Sequence, residues 1–114
     1  MGYERLVHIT DYIRTNIQPD INIQQLDILF RVAANPGITQ SELMGETGLM
    51  TGSVSRHLAK LSKYKHHTTG KITGLGLIMQ TPNPHNRKQL SSWLTKEGTH
   101  HVKELLKLWE NTSS

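Results

Sequence analysis

The run Thr39-Gln40-Ser41-Glu42 constrains this chain more than any other short stretch in it. It spells a capping box: the Thr39 hydroxyl oxygen accepts from the amide of residue 42, and the Glu42 carboxylate reaches back to the amide of residue 39. Two of the amides that a helix start leaves open are satisfied in this way. Ile38 and Leu43 occupy the positions of a hydrophobic staple around it. The helix is expected to be short, because Gly45 weakens it and Gly48 suits a left-handed turn at its end. A second helix then starts near Thr51, which is expected to cap it, and runs over residues 51–63. Its apolar face is Val54, Leu58 and Leu61, with Ser53, Arg56, His57, Lys60 and Lys63 placed on the surface. Two helices joined by a tight, glycine-containing turn make a helix-turn-helix, a pattern that ordinary helical hairpins share.

Charge decides between the two. Residues 47–96 contain no Asp or Glu, yet hold Arg56, Lys60, Lys63, Lys65, Lys71, Arg87, Lys88 and Lys96. The segment before them carries a net charge of −3 and the tail −1, so the whole chain is +4. A solvated face normally mixes signs, so a one-signed run that contains the second helix reads as a phosphate-facing surface. With 114 residues, of which 35% are hydrophobic, the chain is read as one domain with a modest core. The absence of cysteine excludes disulfides and thiolate metal sites. The charged N-terminus lacks the apolar stretch of a signal peptide and no segment is apolar enough to span a bilayer, so a cytoplasmic protein with no membrane partner is expected.

The remaining elements follow from periodicity and breakers. Tyr3, Leu6, Ile9, Ile13 and Ile17 predict an amphipathic helix over residues 3–17, ended by Gln18-Pro19-Asp20. Ile23, Leu26, Ile28, Leu29, Phe30, Val32 and Ala33 predict a largely buried central helix over residues 23–34, stopped by Asn35-Pro36-Gly37. Residues 77–81 and 87–94 read as strands around a turn-rich tip, Pro82-Asn83-Pro84-His85-Asn86. Thr95 caps a last helix with Val102, Leu105, Leu106 and Trp109 on one stripe, and Ser113-Ser114 are expected to fray. The fold class is mainly α with a small β-wing, in the order α-α-α-α-β-β-α.

Three blocks stand in order along the chain: Pro36-Gly37-Ile38-Thr39-Gln40-Ser41-Glu42-Leu43; then Thr47-Gly48-Leu49 with Ser53-Val54-Ser55-Arg56-His57-Leu58 and Leu61; then Asn86-Arg87-Lys88 with Leu94-Thr95-Lys96-Glu97-Gly98. In this order they resemble the MarR family of winged-helix transcription factors, a resemblance that covers roughly residues 23–109. The resemblance implies a homodimer with interlocked terminal helices, recognition helices in successive major grooves and wings along minor grooves. Residues 1–114 then form a single winged helix-turn-helix domain. Residues 1–17 and 95–110 are its dimerisation helices, 23–94 its DNA-binding core, and 77–94 its wing. The chain departs from the family pattern at the wing, where Asn86-Arg87-Lys88 replaces Asp-Arg-Arg and the aspartate that orients an arginine is gone. About ten residues, 65–74, are inserted between recognition helix and wing.

Candidate roles follow from side-chain chemistry. Arg56 is the expected base reader, since its planar fork can bond guanine O6 and N7 together. Thr51, Ser53, Ser55 and His57 offer short polar groups for bases or phosphates, and Lys60 and Lys63 meet phosphate. Thr39 and Gln40 stand at a helix start where a phosphate binds, or where Thr39 serves only as a cap. Arg87 is the residue for minor-groove insertion, with His85 and Lys88 assisting, so residues 82–88 lie at that groove. Leu6, Ile9, Ile13, Val102, Leu105, Leu106 and Trp109 are expected at an isologous dimer interface, because terminal helices of a small domain have little else to pack on.

The seven histidines include two adjacent pairs, His66-His67 and His100-His101, but adjacent helical residues diverge and no ligand motif accompanies them. They read as polar surface and dimer contacts, without a metal or other cofactor. No phosphate loop, nucleophile elbow or paired carboxylate is present, so no enzyme is expected. The leading reading is a sequence-specific, double-stranded DNA-binding regulator, most simply a homodimeric repressor. A replication, partition or architectural factor of a mobile element is one alternative, and a winged helix that binds an acidic protein is the other. No residue supports a small-molecule effector.

Overall fold

The computed structural model describes residues 2–110; the expected fraying of Ser113-Ser114 lies outside them. Helix α1 (Tyr3–Tyr12) continues through a π-helical segment, Ile13–Ile17, and stops at Gln18 just before Pro19. Helix α2 (Ile23–Ala34) opens with its own capping box: Gln25 N donates to Asn22 Oδ1 at 2.9 Å, and Asn22 N donates to Gln25 Oε1 at 3.3 Å. Strand β1 (Ile38–Thr39), helix α3 (Gln40–Thr47) and helix α4 (Thr51–Leu61) follow. Two short strands, β2 (Tyr64–Lys65) and β3 (Ile72–Thr73), precede β4 (Ile78–Pro82), β5 (Leu90–Leu94) and the final helix α5 (Lys96–Glu110).

The capping box at Thr39 forms as the sequence dictates, with both reciprocal bonds made and Gly48 left-handed at φ 75°. The next helix start differs from expectation. Met50 takes the cap position with no side-chain bond, and Thr51 is already helical, its hydroxyl donating to Met44 Sδ at 3.1 Å. Helix α4 also ends at Leu61, so Lys63 lies beyond it rather than within a helix spanning 51–63. Its last carbonyls are taken by the returning chain: Leu75 N donates to Lys60 O at 2.9 Å and Leu77 N to Leu61 O at 2.8 Å. That arrangement replaces a further helical turn.

The core is one cluster: Ile28, Leu29 and Val32 of α2, Ile38 of β1, Leu43 of α3, Val54, Leu58 and Leu61 of α4, and Leu77 and Ile78 at the wing root. The expectation of a largely buried α2 is corrected here. Ile23 and Phe30 are 77% and 41% exposed. They are seven residues apart, on the side of the helix opposite Ile28 and Val32, and no element covers that side fully.

The wing sheet has the order β1-β5-β4, antiparallel throughout, with Ile38 opposite Ser92 and Ile78 opposite Leu94. Strand β1 was not foreseen, because two residues at a helix entry carry no strand periodicity. The insertion folds into a separate β2-β3 hairpin, Tyr64 opposite Thr73 and Lys65 opposite Ile72. Helix α5 starts on the wing root: Gly98 N donates to Thr95 Oγ1 at 3.0 Å, and Thr95 donates to Gly76 O at 2.6 Å through Oγ1 and to Leu77 O at 2.9 Å through N. Helices α1 and α5 run antiparallel, tied by Arg5 Nη1 to Trp109 O at 3.1 Å and by Tyr12 Oη with His101 Nδ1 at 2.7 Å.

Candidate nucleic-acid interface

Helix α4 is amphipathic in the way its sequence requires. Val54, His57, Leu58 and Leu61 face the core, and Thr51, Ser55, Arg56 and Lys60 are exposed, with Ser53 half-buried between them. Ser53, Arg56 and Lys60 are spaced by three and four residues and so share one face. Among the described residues, neither Arg56 nor Lys60 is in an ion pair; the paired cations are Arg14, Arg31 and Lys107. Arg31 holds Asp27 and Glu46 at 2.7 and 3.1 Å, so two carboxylates of the N-terminal half are engaged on α2 and α3. The exposed side of α4 is left with uncompensated positive charge.

His57 is the clearest correction among the site residues. It is only 8% exposed, and its Nε2 bonds Gln24 Oε1 at 2.8 Å, so it packs inside rather than meeting DNA. Burial, with Arg56 and Lys60 adding positive charge nearby, holds its pKa below the usual histidine value and favours the neutral ring. Its Nδ1 has no partner. The position foretells this: residue 57 is three after Val54 and four before Leu61, within the apolar stripe.

Helix α3 supplies the second wall. Thr39 is committed to capping, as its hydroxyl accepts from Glu42 N at 3.2 Å and donates to Glu42 Oε1 at 3.0 Å. The Thr39 amide, donating to the same carboxylate, holds the Glu42 pKa below its usual value, so the cap keeps its charge. Gln40 reaches across the turn, its Nε2 donating to Ser55 Oγ at 2.7 Å and Thr51 O at 3.3 Å. The two helices therefore present their polar groups as one surface.

The third wall is the wing, whose tip is shaped by asparagines. Asn83 Oδ1 accepts from His85 N at 2.8 Å and Asn86 N at 3.1 Å, while its Nδ2 donates to Ser91 Oγ at 3.0 Å. Asn86 Oδ1 accepts from Lys88 N at 3.2 Å. The neutral amide at position 86 thus organises the tip backbone, and Arg87 and Lys88 remain exposed with His85. Gln89 then clasps α3, its Nε2 donating to Ser41 Oγ at 2.7 Å and its Oε1 accepting from Ser41 N at 3.4 Å. Gln89 was missed by sequence reasoning, and no local pattern marks a contact spanning 48 residues. The clasp closes a cleft of about 290 Å³ that gathers Gln40, Ser41, Thr51, Lys88 and Gln89. Lys63 stands apart from it, its stem lying over Gly76 at the wing root.

At the other end, the apolar stripes of α1 and α5 meet. Ile13 and Leu105 are buried within the chain itself, so they are not free to meet a partner; Ile9 and Val102 are half-buried, and Leu6, Leu106 and Trp109 are more than half exposed. Ile9, Val102, Leu105, Leu106 and Trp109, with Phe30, Ala33 and Ala34, line an apolar groove of about 440 Å³. His66 and His67 stack with ring centroids 5.4 Å apart. Among the described residues, no group of three or more His, Asp or Glu is placed to hold a metal, and no helix is long and apolar enough to cross a membrane.

Two helices joined by a tight turn, the second bearing unpaired cations and the first clasped to the antiparallel hairpin that follows, define a winged helix-turn-helix domain. Residues 21–64 match the family described as winged helix-turn-helix DNA-binding. A search among curated proteins returns no significant match. Among solved structures, the chain is similar to the transcriptional repressor CouR bound to a 23-mer DNA duplex, at TM-score 0.66 and 22% identity over 96% of this chain and 66% of that one. It is also similar to wild-type MarR in its apo form from E. coli, at TM-score 0.64 and 19% identity, covering 96% and 71%. The transcriptional regulator Tm0710 from Thermotoga maritima matches at TM-score 0.68 and 19% identity, covering 96% and 67%. The chain therefore has the winged helix-turn-helix fold of the MarR structures, as its sequence led us to expect, and spans 66–71% of the length of these three.

Proposed function

We propose that this protein is a homodimeric, sequence-specific double-stranded DNA-binding regulator of the MarR type that acts as a transcriptional repressor. The observation that carries this reading is the unpaired cationic face shared by α4 and the wing tip, which are joined through α3 by the Gln40–Ser55 bond on one side and the Gln89–Ser41 clasp on the other. In this reading α4 enters the major groove, Arg56 reads a base, Lys60 and Lys63 hold phosphates, and Arg87 with Lys88 lies at the minor groove. Gln40, Thr51, Ser53 and Ser55 provide shorter contacts, whereas Thr39 acts through its cap. That the structurally similar repressor CouR is bound to a 23-mer DNA duplex supports a duplex as the partner.

The groove between α1, α2 and α5 supports a dimer, because Phe30, Leu106 and Trp109 stay exposed along it and Leu6 stays exposed on α1, apolar side chains that a second copy would cover. A helix-turn-helix dimer of this kind reads half-sites about one DNA turn apart, roughly 34–36 Å. Selection from random duplexes tests the whole proposal. A two-fold-symmetric site, bound with steep salt dependence, is the expected result; an asymmetric or absent preference rejects the regulator. Sedimentation of Leu106→Asp, with a monomer expected, tests the interface separately.

A further inference from the structure

Resting on that DNA-binding reading, we infer that the β2-β3 hairpin is a second phosphate-contacting arm, which grips the backbone of the same duplex beside the groove that α4 enters. The hairpin is a built element. Besides its strand pairs, His66 N donates to Lys71 O at 2.8 Å and Gly70 N to His66 O at 2.7 Å. Thr68 N donates to His66 Nδ1 at 3.3 Å and Lys71 N to Thr69 Oγ1 at 3.2 Å, closing the tip.

Its base is locked to the recognition helix. The Leu75 and Leu77 amides take the last α4 carbonyls, and Gly74, at φ 99°, passes so close that a Cβ there would stand 1.7 Å from Ser62 O. Only glycine permits that approach, so the hairpin holds one direction relative to α4. Yet it adds nothing to the core: residues 64–72 are all exposed, and Ile72 is 67% so. A two-stranded hairpin that buries no apolar face is marginal by itself, so its order rests on that locked base.

Its charge indicates the occupant. Lys65 and Lys71 lie on the hairpin and Lys63 leads into it, and none has an ion-pair partner among the described residues. Lys60 of α4 lines one cleft of about 430 Å³ together with Tyr64, Thr73 and Gly74, so the base of the hairpin that carries Lys65 and Lys71 adjoins the cationic face of α4. Asp20 also lines that cleft, where it accepts from Gln18 Nε2 at 2.8 Å and forms no ion pair with Lys60. Lysines are mobile point charges without the fork that reads a base edge, so the arm holds backbone and lengthens the footprint without changing the preferred sequence.

The test compares the full chain with Lys65→Ala/Lys71→Ala on the selected duplex between 50 and 200 mM salt. Each lost phosphate contact removes about 0.9 from the slope of log affinity against log salt. The double variant is therefore expected to flatten the slope by about 1.8, so that wild-type loses about 12-fold more affinity than the variant over that range. Lys103→Ala/Lys107→Ala removes the same charge from α5 and is expected to leave the slope unchanged. A wild-type slope in the hairpin variant, or equal flattening in both variants, overturns the arm while DNA binding stands. An unchanged thermal midpoint and an unaltered selected sequence are further expected; a shifted sequence preference also overturns the arm. If wild-type shows no salt-dependent duplex binding, the underlying reading fails and the arm with it.

Discussion

Gly98→Ala isolates the joint between the wing and the terminal helices. A Cβ at this position would stand 2.0 Å from Leu77 O, 2.9 Å from Leu77 C and 3.2 Å from Leu77 Cα. Normal contact requires a separation of about 3.5 Å, so the start of α5 must lift by more than ~1 Å. Leu77 cannot yield, being core and tied through its amide to Leu61 O. The lift strains the Thr95 N to Leu77 O bond and the Thr95 cap on Gly98 N, at about 1 kcal/mol each. Overpacking adds about 1–3 kcal/mol, and the better helix propensity of alanine returns about 1 kcal/mol. The net loss is about 2–4 kcal/mol. For a domain of 114 residues, an unfolding entropy of about 2.1 cal/mol/K per residue converts this to a midpoint about 8–17 °C lower. Thermal unfolding followed by circular dichroism measures it. An unchanged or raised midpoint would show that propensity dominates and that α5 does not rest on the Leu77 carbonyl.

Three further outcomes are expected. Arg56→Ala should weaken binding to the selected duplex about 5- to 150-fold and random DNA far less, measured by competitive titration, while Lys60→Ala should weaken both alike; equal losses for Arg56→Ala would make it a phosphate contact. Gln89→Leu removes the clasp on Ser41, at a cost of about 1 kcal/mol, and should speed amide exchange around residues 83–90 while leaving α2 protected. Stability should fall as pH is lowered from 7.5 to 5.5, because the native His57 pKa lies below that of the unfolded chain, which takes up the proton first below about pH 6.5. His57→Gln should reduce that fall; an identical pH profile in the variant would place the titrating group elsewhere.

Much of the fold was legible along the chain, because its signals act between near neighbours. A capping box needs residues three apart, a helix end needs one left-handed glycine, and a phosphate-facing run needs only the absence of carboxylates over residues 47–96. These placed α3, α4 and the wing and made the winged helix-turn-helix the natural reading. His57 shows where residue type misled: its spacing from Val54 and Leu61 put it in the apolar stripe, but imidazole chemistry suggested the surface. Only the fold brings Gln24 opposite it to satisfy Nε2.

Tertiary structure alone decided the rest. Gln89 meets Ser41 across 48 residues, Gly98 abuts Leu77, and Ile38 pairs with Ser92, none of which has a local signature. The same holds for the apolar stripe of α1 and α5, where Ile13 and Leu105 turned inward while Leu106 and Trp109 stayed out. Periodicity names a helical face but not what covers it. Cover depends on volumes and directions contributed by distant segments, and those exist only once the chain has packed.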